Sequence, residues 1–278
     1  MKSFEMTWKT RDGLDICAQG WEPDGAARAV VCLVHGLGEH SGRYVNAAAA
    51  FTKAGYALFG FDQRGHGKSG GQRGHTPSYD ALMDDVDDLL AQAAQKYPGL
   101  PRFLYGHSMG GGEVLNYALR RKPELAGVIA TGPFLKLAFE PPAFKVMLGK
   151  FMNNIAPAFS QPSGLDTTAL SRDQKVVEAY TNDPLVHDKI SARLFVALFD
   201  AGLWAFARAS EFSLPLLIMH GSGDRITSAQ ATREFAQKGN KNVTLHIWDE
   251  WYHEIHNETG QAEVFKTMTI WMDARLMG

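Results

Sequence analysis

The sequence contains few of the residues that cross-link or anchor a protein. It has two cysteines in 278 residues, Cys17 and Cys32, which are too few for a disulfide framework. Both fall in predicted strands, where a buried free thiol is ordinary. No stretch approaches the ~18 uninterrupted apolar residues of a membrane-spanning helix, and residues 1–8 lack the apolar run of a secretory signal. These absences predict a soluble, cytoplasmic protein.

An excess of charge of one sign is also missing. The chain carries 28 Lys and Arg against 30 Asp and Glu, a formal net charge of −2. A basic surface for nucleic acid is therefore not expected, and RNA and DNA are excluded as partners. Hydrophobic residues make up 45% and charged residues 21% of the chain, which is an ordinary globular balance with enough apolar material for a core.

Short apolar runs alternate with helix-like segments before residue 133 and after residue 213. Apolar runs of this length predict strands buried on both faces, and their alternation with helices predicts a mostly parallel sheet with helices on both faces. Residues 3–9 and 14–21 predict an antiparallel hairpin. The buried strands are predicted at 29–34, 56–61, 102–105, 128–131, 214–219 and 243–248, and the helices at 43–54, 78–96, 110–121, 228–238 and 260–276.

This alternation breaks between residues 133 and 213. The segment is rich in Phe and Met and contains two patches with helical spacing. An insertion of this length between two core strands favours a helical lid over a loop. The alternative is a helical insertion that stays packed on the core permanently. We therefore predict an α/β core formed by residues 1–132 and 214–278, with a lid or cap at 133–213.

The motif Gly-His-Ser-Met-Gly at 106–110 follows a predicted strand and opens a predicted helix. A sharp strand-to-helix turn lifts the serine hydroxyl above the sheet, which is the arrangement of a nucleophile in α/β hydrolases. Ser108 is thus the predicted nucleophile. A serine hydroxyl is weak at neutral pH and needs a neutral histidine as base, oriented by a carboxylate.

In this fold the acid and the base follow the serine in that order along the chain. Asp224 lies in a glycine-rich loop after the strand ending at residue 219, and His253 lies in the loop after the last strand. They are the predicted acid and base, and His256 is the alternative base. The pair His253 and His256 lacks the i, i+4 helical spacing of a zinc protease, so neither a metal nor another cofactor is expected. Two other acids are less suited: Asp200 falls in a lid helix and Asp249 is adjacent to the base along the same loop.

Two backbone N–H groups are expected to stabilise the oxyanion that forms when the serine attacks. One belongs to Met109, directly after the nucleophile, and the other to the loop after the third strand. That loop reads His-Gly-Leu-Gly-Glu-His at 35–40, so Leu37 is the predicted second donor.

Four segments together resemble the monoacylglycerol lipases. They are HGLGEHSGRY at 35–44, DQRGHGKS at 62–69, GHSMGG at 106–111 and HGSGD at 220–224. The resemblance implies the same triad and oxyanion donors, and it places Glu39, Arg43 and His256 near the end of the pocket that receives the glycerol or another alcohol. It also implies a lid over a hydrophobic acyl channel. Thr227 stands where mammalian members carry a cysteine, so their thiol sensitivity is not expected here.

The sequence therefore predicts a serine hydrolase that cleaves medium- or long-chain carboxylic esters, with monoacylglycerols as the expected lipid substrates. Related enzymes with the same triad are the alternatives: a lysophospholipase, a general carboxylesterase or a serine aminopeptidase. A binding protein that keeps the fold without turnover is the alternative of a different class. An apolar lid also allows transient contact with a membrane surface or micelle, peripheral to an otherwise cytoplasmic location.

Overall fold

The structure is a computed structural model that describes residues 1–277. Within that range eight strands build one sheet, and two short strands pair separately. The strands of the large sheet are β1 (Lys2–Lys9), β2 (Asp15–Glu22), β3 (Ala29–Val34), β4 (Tyr56–Phe61), β5 (Arg102–His107), β6 (Gly127–Thr131), β9 (Leu216–Gly221) and β10 (Val243–Trp248). Their order across the sheet is β1-β2-β4-β3-β5-β6-β9-β10.

The pairing in this sheet is mostly parallel. The hairpin β1-β2 is antiparallel and joins the sheet through antiparallel pairing of β2 with β4, whereas every pair from β4 to β10 is parallel. In β3, Val30 and Cys32 pack on one face, and Val31 and Leu33 pack on the other. A strand buried on both faces has no side that needs polar residues, which explains its uninterrupted apolar sequence.

Helices cover both faces of the sheet. The face that receives Val31 and Leu33 is covered by α1 (Val45–Lys53) and α8 (Gln261–Leu276). The opposite face is covered by α2 (Tyr79–Lys96), α3 (Met109–Arg121) and α7 (Ala229–Lys238). The predicted α/β class, with a mostly parallel sheet between helices, is confirmed.

The helix starts follow from local sequence. Ser78 and Ser228 precede α2 and α7, and their hydroxyls accept hydrogen bonds from the N–H of Ala81 and Ala231, as expected of N-caps. The helix predicted from residue 43 divides into a 3-10 helix, Ser41–Tyr44, followed by α1. His40 Nδ1 accepts from Gly42 N–H at 3.2 Å, which begins the tighter turn at residue 41.

The segment between β6 and β9 packs on α2 and α3 through its last α-helix. It contains α4 (Ala143–Ile155), β7 (Ser160–Pro162), α5 (Gln174–Asn182), β8 (Lys189–Ser191) and α6 (Ala192–Ala207). The β7-β8 pair was not predicted, because three-residue strands are too short to show a period of two. Helix α4 rests on α6 and has no buried residue of its own.

No helix within residues 1–277 combines the length and the apolar character needed to cross a bilayer.

Candidate active site

The sheet brings three predicted site residues together at one edge. Ser108 follows β5, Asp224 follows β9 and His253 lies in the loop after β10. These strands are parallel, so their carboxyl ends lie side by side, where α/β proteins place their ligands and reactive groups. Residues separated by 145 positions in sequence thereby come into contact.

The turn at Ser108 is strained. Its backbone has φ 55° and ψ −115°, a region that non-glycine residues rarely occupy and that costs of order 1–3 kcal/mol. Glycines on either side permit the turn, because the chain passes too close for a side chain. A Cβ on Gly106 would lie 2.2 Å from the carbonyl oxygen of Gly110, and one on Gly110 would lie 2.1 Å from that of Val34.

The three side chains form a continuous hydrogen-bonded row. His253 Nε2 lies 2.8 Å from Ser108 Oγ, and His253 Nδ1 lies 2.6 Å from Asp224 Oδ2. The carboxylate can only accept, so His253 Nδ1 carries the proton and Nε2 is left to accept from the serine. This is the geometry in which a histidine can remove a serine proton while an aspartate fixes its tautomer.

The charges of the row support this direction of proton transfer. Burial opposes the charged form of Asp224, but His253 and His220 outweigh burial and hold the pKa of that carboxyl well below its usual range. Burial likewise lowers the pKa of His253, but the carboxylate of Asp224 outweighs it, so the net pKa of His253 is raised above 6.5. An ionised Asp224 can therefore stabilise the imidazolium that forms during attack.

The two predicted oxyanion donors belong to backbone segments next to the serine. Met109 is the first residue of α3, where backbone N–H groups have no partner within the helix. Leu37 lies in the loop after β3, and this loop approaches the serine so closely that a Cβ on Gly36 would lie 3.3 Å from Ser108 Cβ. Neither N–H donates to an acceptor within residues 1–277.

Glu39 and Arg43 lie in a buried network beside this loop. Glu39 Oε1 accepts from Gly36 N–H at 2.7 Å and from the Tyr44 hydroxyl at 2.8 Å, and Glu39 Oε2 accepts from Arg43 at 2.7 Å. Arg43 also donates two hydrogen bonds of 2.7 Å to Glu254. One guanidinium thus connects the loop after β3 to the loop that carries His253.

His256 lies behind the row in a stack of rings. Its ring is stacked on Tyr44 with centroids 4.8 Å apart and meets His107 at 4.6 Å, and His107 meets His253 at 4.7 Å. Burial lowers the pKa of His256 to about 4, so the ring is neutral at neutral pH. Its two ring nitrogens have no hydrogen-bond partner among the described residues. Ser108 contacts His253 rather than His256.

The acids considered as alternatives lie elsewhere. Asp200 is on α6 and forms an exposed ion pair with Lys150 of α4, at 3.6 Å. Asp249 accepts from the exposed Ser222 hydroxyl at 3.0 Å.

The predicted site does not include His220, Thr227 or Glu254, and each of them contacts one of its residues. His220 Nε2 lies 2.9 Å from Asp224 Oδ2. Thr227 Oγ1 lies 2.9 Å from the same oxygen and 3.2 Å from His253 Nδ1. The spacing of His220 and Thr227 from Asp224 was visible in the sequence, but the side-chain directions were not. For Glu254, which meets Arg43 from 211 positions away, the sequence contained no signal.

Among the described residues, no group of three or more His, Cys, Asp and Glu side chains is arranged to hold a metal ion.

Comparison with known proteins places this site in a family. Residues 25–260 match the family described as Serine aminopeptidase, S33. The chain is 36% identical over 266 residues to a monoacylglycerol lipase of Mycolicibacterium smegmatis, and the match covers 95% of each chain. It is also 36% identical over 270 residues to an uncharacterized abhydrolase domain-containing protein of Dictyostelium discoideum, covering 96% of this chain and 28% of that protein.

A solved structure extends this likeness to three dimensions. The crystal structure of a monoacylglycerol lipase from Paleococcus ferrophilus superimposes with a TM-score of 0.84 at 34% identity. The superposition covers 99% of this chain and 100% of that chain.

Proposed function

Because this chain belongs to the serine aminopeptidase S33 family, and within it to the monoacylglycerol lipases, we propose that it hydrolyses monoacylglycerols to a fatty acid and glycerol. Membership in this family confirms the resemblance to monoacylglycerol lipases that the four sequence motifs indicated. The protein is a carboxylic ester hydrolase. The observation that supports the proposal most strongly is the hydrogen-bonded row from Ser108 through His253 to Asp224 at the carboxyl edge of the sheet.

In the proposed mechanism, Ser108 Oγ attacks the ester carbonyl while His253 Nε2 accepts its proton. The negative charge moves to the carbonyl oxygen, where the N–H groups of Leu37 and Met109 stabilise it. The protonated His253 then donates to the alkoxide of the leaving glycerol as the ester C–O bond breaks, which leaves the acyl group on Ser108. A water molecule repeats the sequence, with His253 as base and Ser108 as leaving group, and releases the fatty acid.

We assign the alcohol end of the pocket to Glu39, Arg43 and His256. The carboxylate of Glu39 already accepts hydrogen bonds from the protein. Its role is therefore to hold the loop that carries Leu37, rather than to bind the substrate directly. The two nitrogens of His256 have no partner among the described residues, but the ring is buried between Tyr44 and His107. A buried water molecule is the partner that suits them, so His256 would act on the alcohol end through such a water rather than by direct contact with glycerol.

We propose that residues 133–213 act as a lid on a core formed by residues 1–132 and 214–277. Gly278, which the sequence assigns to the core, lies outside the described residues. The outer face of α4 supports the role of a lid, because its large apolar side chains are exposed at helical spacing. These are Phe144, Met147, Leu148, Phe151 and Ile155, which are between 55% and 71% exposed. An apolar face of this kind is typical of a helix that lies at a lipid surface, and we propose a membrane or micelle surface as its transient partner.

The substrate class can be tested with a chain-length series of monoacylglycerols and p-nitrophenyl esters. The wild type and Ser108→Ala are compared, with Ser3→Ala on the exposed strand β1 as the matched control. We expect hydrolysis of monoacylglycerols by the wild type and Ser3→Ala, and loss of several orders of magnitude in Ser108→Ala. Activity confined to short p-nitrophenyl esters would make the protein a general esterase, and activity on lysophospholipids alone would make it a lysophospholipase.

The family description also raises an aminopeptidase as a second candidate. Such an enzyme needs an acidic group to bind the free amine of its substrate. Glu39 is the nearby carboxylate, but Gly36, Tyr44 and Arg43 already occupy both of its oxygens. Hydrolysis of aminoacyl arylamides without hydrolysis of esters would favour the peptidase and would contradict the lipase proposal.

A further inference from the structure

His220 makes a second imidazole contact with the acid of the catalytic row. It belongs to the end of β9 and is fully buried. Its Nε2 lies 2.9 Å from Asp224 Oδ2, and its Nδ1 lies 2.8 Å from the hydroxyl of Thr232 on α7. Both ring nitrogens therefore have a polar partner.

These partners determine the tautomer of His220. The ionised carboxylate of Asp224 can only accept, so the proton is on Nε2. Nδ1 lies within hydrogen-bonding distance of the Thr232 hydroxyl, which can donate to it. The ring is thus held with its Nε2–H directed at the carboxylate.

The same carboxylate oxygen serves both imidazoles. Asp224 Oδ2 accepts from His220 and from His253 at 2.9 and 2.6 Å. Asp224 Oδ1 accepts from the backbone N–H groups of Ile226 and Thr227 at 2.7 and 3.0 Å. The carboxylate is therefore fixed at both oxygens, and the charge available to His253 is shared with His220.

We propose that His220 is a positioning residue for the hydrolysis: its Nε2–H holds Asp224 Oδ2 against the His253 ring and limits how strongly that oxygen binds His253 Nδ1–H. This inference rests on the proposed function, because it assumes that His253 activates Ser108. His220 touches neither Ser108 nor the reacting atoms and acts through Asp224.

Removing the donor should raise the pKa of His253. Without His220, Asp224 Oδ2 loses one of its donors and keeps the Thr227 hydroxyl at 2.9 Å, so more of its negative charge acts on His253 and favours the protonated ring. The other groups that face His253 are Glu254 and Glu39, which raise its pKa, and the neutral ring of His107. None of these three groups hydrogen-bonds to His220 within the described range, so a substitution at this position leaves their contribution in place.

The test is the pH dependence of labelling of Ser108 by a fluorophosphonate, which requires an activated serine but no particular substrate. His220→Met removes the donor at similar volume, and His220→Gln keeps an N–H at the Nε2 position. We expect the acidic limb of the labelling rate to move upward by about 0.5–1 pH unit in His220→Met. In His220→Gln the limb should stay close to that of the wild type.

An unshifted limb in a folded His220→Met, with only a lower rate or a lower melting temperature, would show a merely structural role and overturn the proposal. If His220→Met does not fold, His220→Leu removes the same donor with a shorter side chain, and an unchanged limb in that variant would overturn the proposal equally. Ester hydrolysis is measured in parallel. A wild type that is labelled at Ser108 but hydrolyses no ester would contradict the proposed substrate and leave the test of His220 intact.

Discussion

His253 is the residue whose protonation state sets the rate of the proposed reaction. Only its neutral ring can accept the Ser108 proton, across the 2.8 Å between Nε2 and Oγ. Its position between Ser108 and Asp224 also explains why the strained backbone of Ser108 is retained, since a relaxed turn would move the hydroxyl away from the ring.

The raised pKa of His253 predicts the acidic limb of the pH profile. Burial lowers this pKa, but Asp224 more than compensates, so the midpoint lies above the ordinary value of 6.5. We expect kcat/KM for a p-nitrophenyl ester to be constant at high pH and to fall as the pH drops through that midpoint, because the neutral ring is lost. The profile is measured with released p-nitrophenol read at its isosbestic wavelength. A midpoint below 6 would contradict the assigned role of Asp224.

Among the secondary-structure elements, α4 is the one whose sequence does not match its surroundings. It has no buried residue, and its outward face is apolar. Charged side chains flank that face, including Lys150, which pairs with Asp200 of α6. An amphipathic helix with an exposed apolar face is stable when a second apolar phase can cover it.

Weaker binding to lipid is the expected result of making this face polar. Burial of a large apolar side chain contributes about 1.5–3 kcal/mol, so the double substitution Phe144→Ser and Met147→Ser should reduce partitioning onto phosphatidylcholine vesicles by tenfold or more. Flotation of the protein with the vesicles measures this.

Ile270→Ser is the matched control for the α4 substitutions. Ile270 is 60% exposed on α8, which lies on the opposite face of the sheet from α3, the helix against which α6 packs. Its flotation should resemble that of the wild type. Equal flotation of all three proteins, or a wild type that stays at the bottom of the gradient, would be evidence against a lipid-facing lid.

Burial of Glu113 lowers the stability of the whole molecule, and no contact of its carboxylate within residues 1–277 offsets this. This α3 residue is fully buried, and neither carboxylate oxygen has a partner among the described residues. Burial, with a smaller contribution from Asp85, raises the pKa of Glu113 well above 4.5. The folded state therefore favours the protonated acid. The contribution of the protonated Glu113 to the free energy of unfolding is fully present below pH 4.5. It is lost as the pH rises through the pKa that Glu113 has in the folded state.

The pH dependence of unfolding tests this cost. Glu113→Gln should be more stable than the wild type by about 1–3 kcal/mol at pH 8, and the two proteins should converge near pH 4.5. Denaturant unfolding at both pH values gives the comparison, with Glu124→Gln, which is exposed, as the control that should show no such difference. A Glu113→Gln protein less stable than the wild type at pH 8 would reveal an unrecognised partner of the carboxylate.

The order and the kind of nearly every core element follow from local sequence patterns. Patterns such as the apolar run 29–34 or the Ser78 cap of α2 are local, since they involve residues a few positions apart. The turn at Ser108 is also local, because Gly106 and Gly110 allow it. For the same reason the strand-to-helix motif predicted the nucleophile without any knowledge of the remote chain.

The contacts between remote groups depend instead on how the elements pack together. The contact of Arg43 with Glu254 spans 211 positions, and the use of one Asp224 oxygen by both His220 and His253 depends on side-chain directions at the ends of two parallel strands. Strand periodicity fixes which face a residue occupies but not which partner it meets there. The alignment of β5, β9 and β10 decides the partners within the row, because it brings the loops that follow these strands within hydrogen-bonding distance of one another.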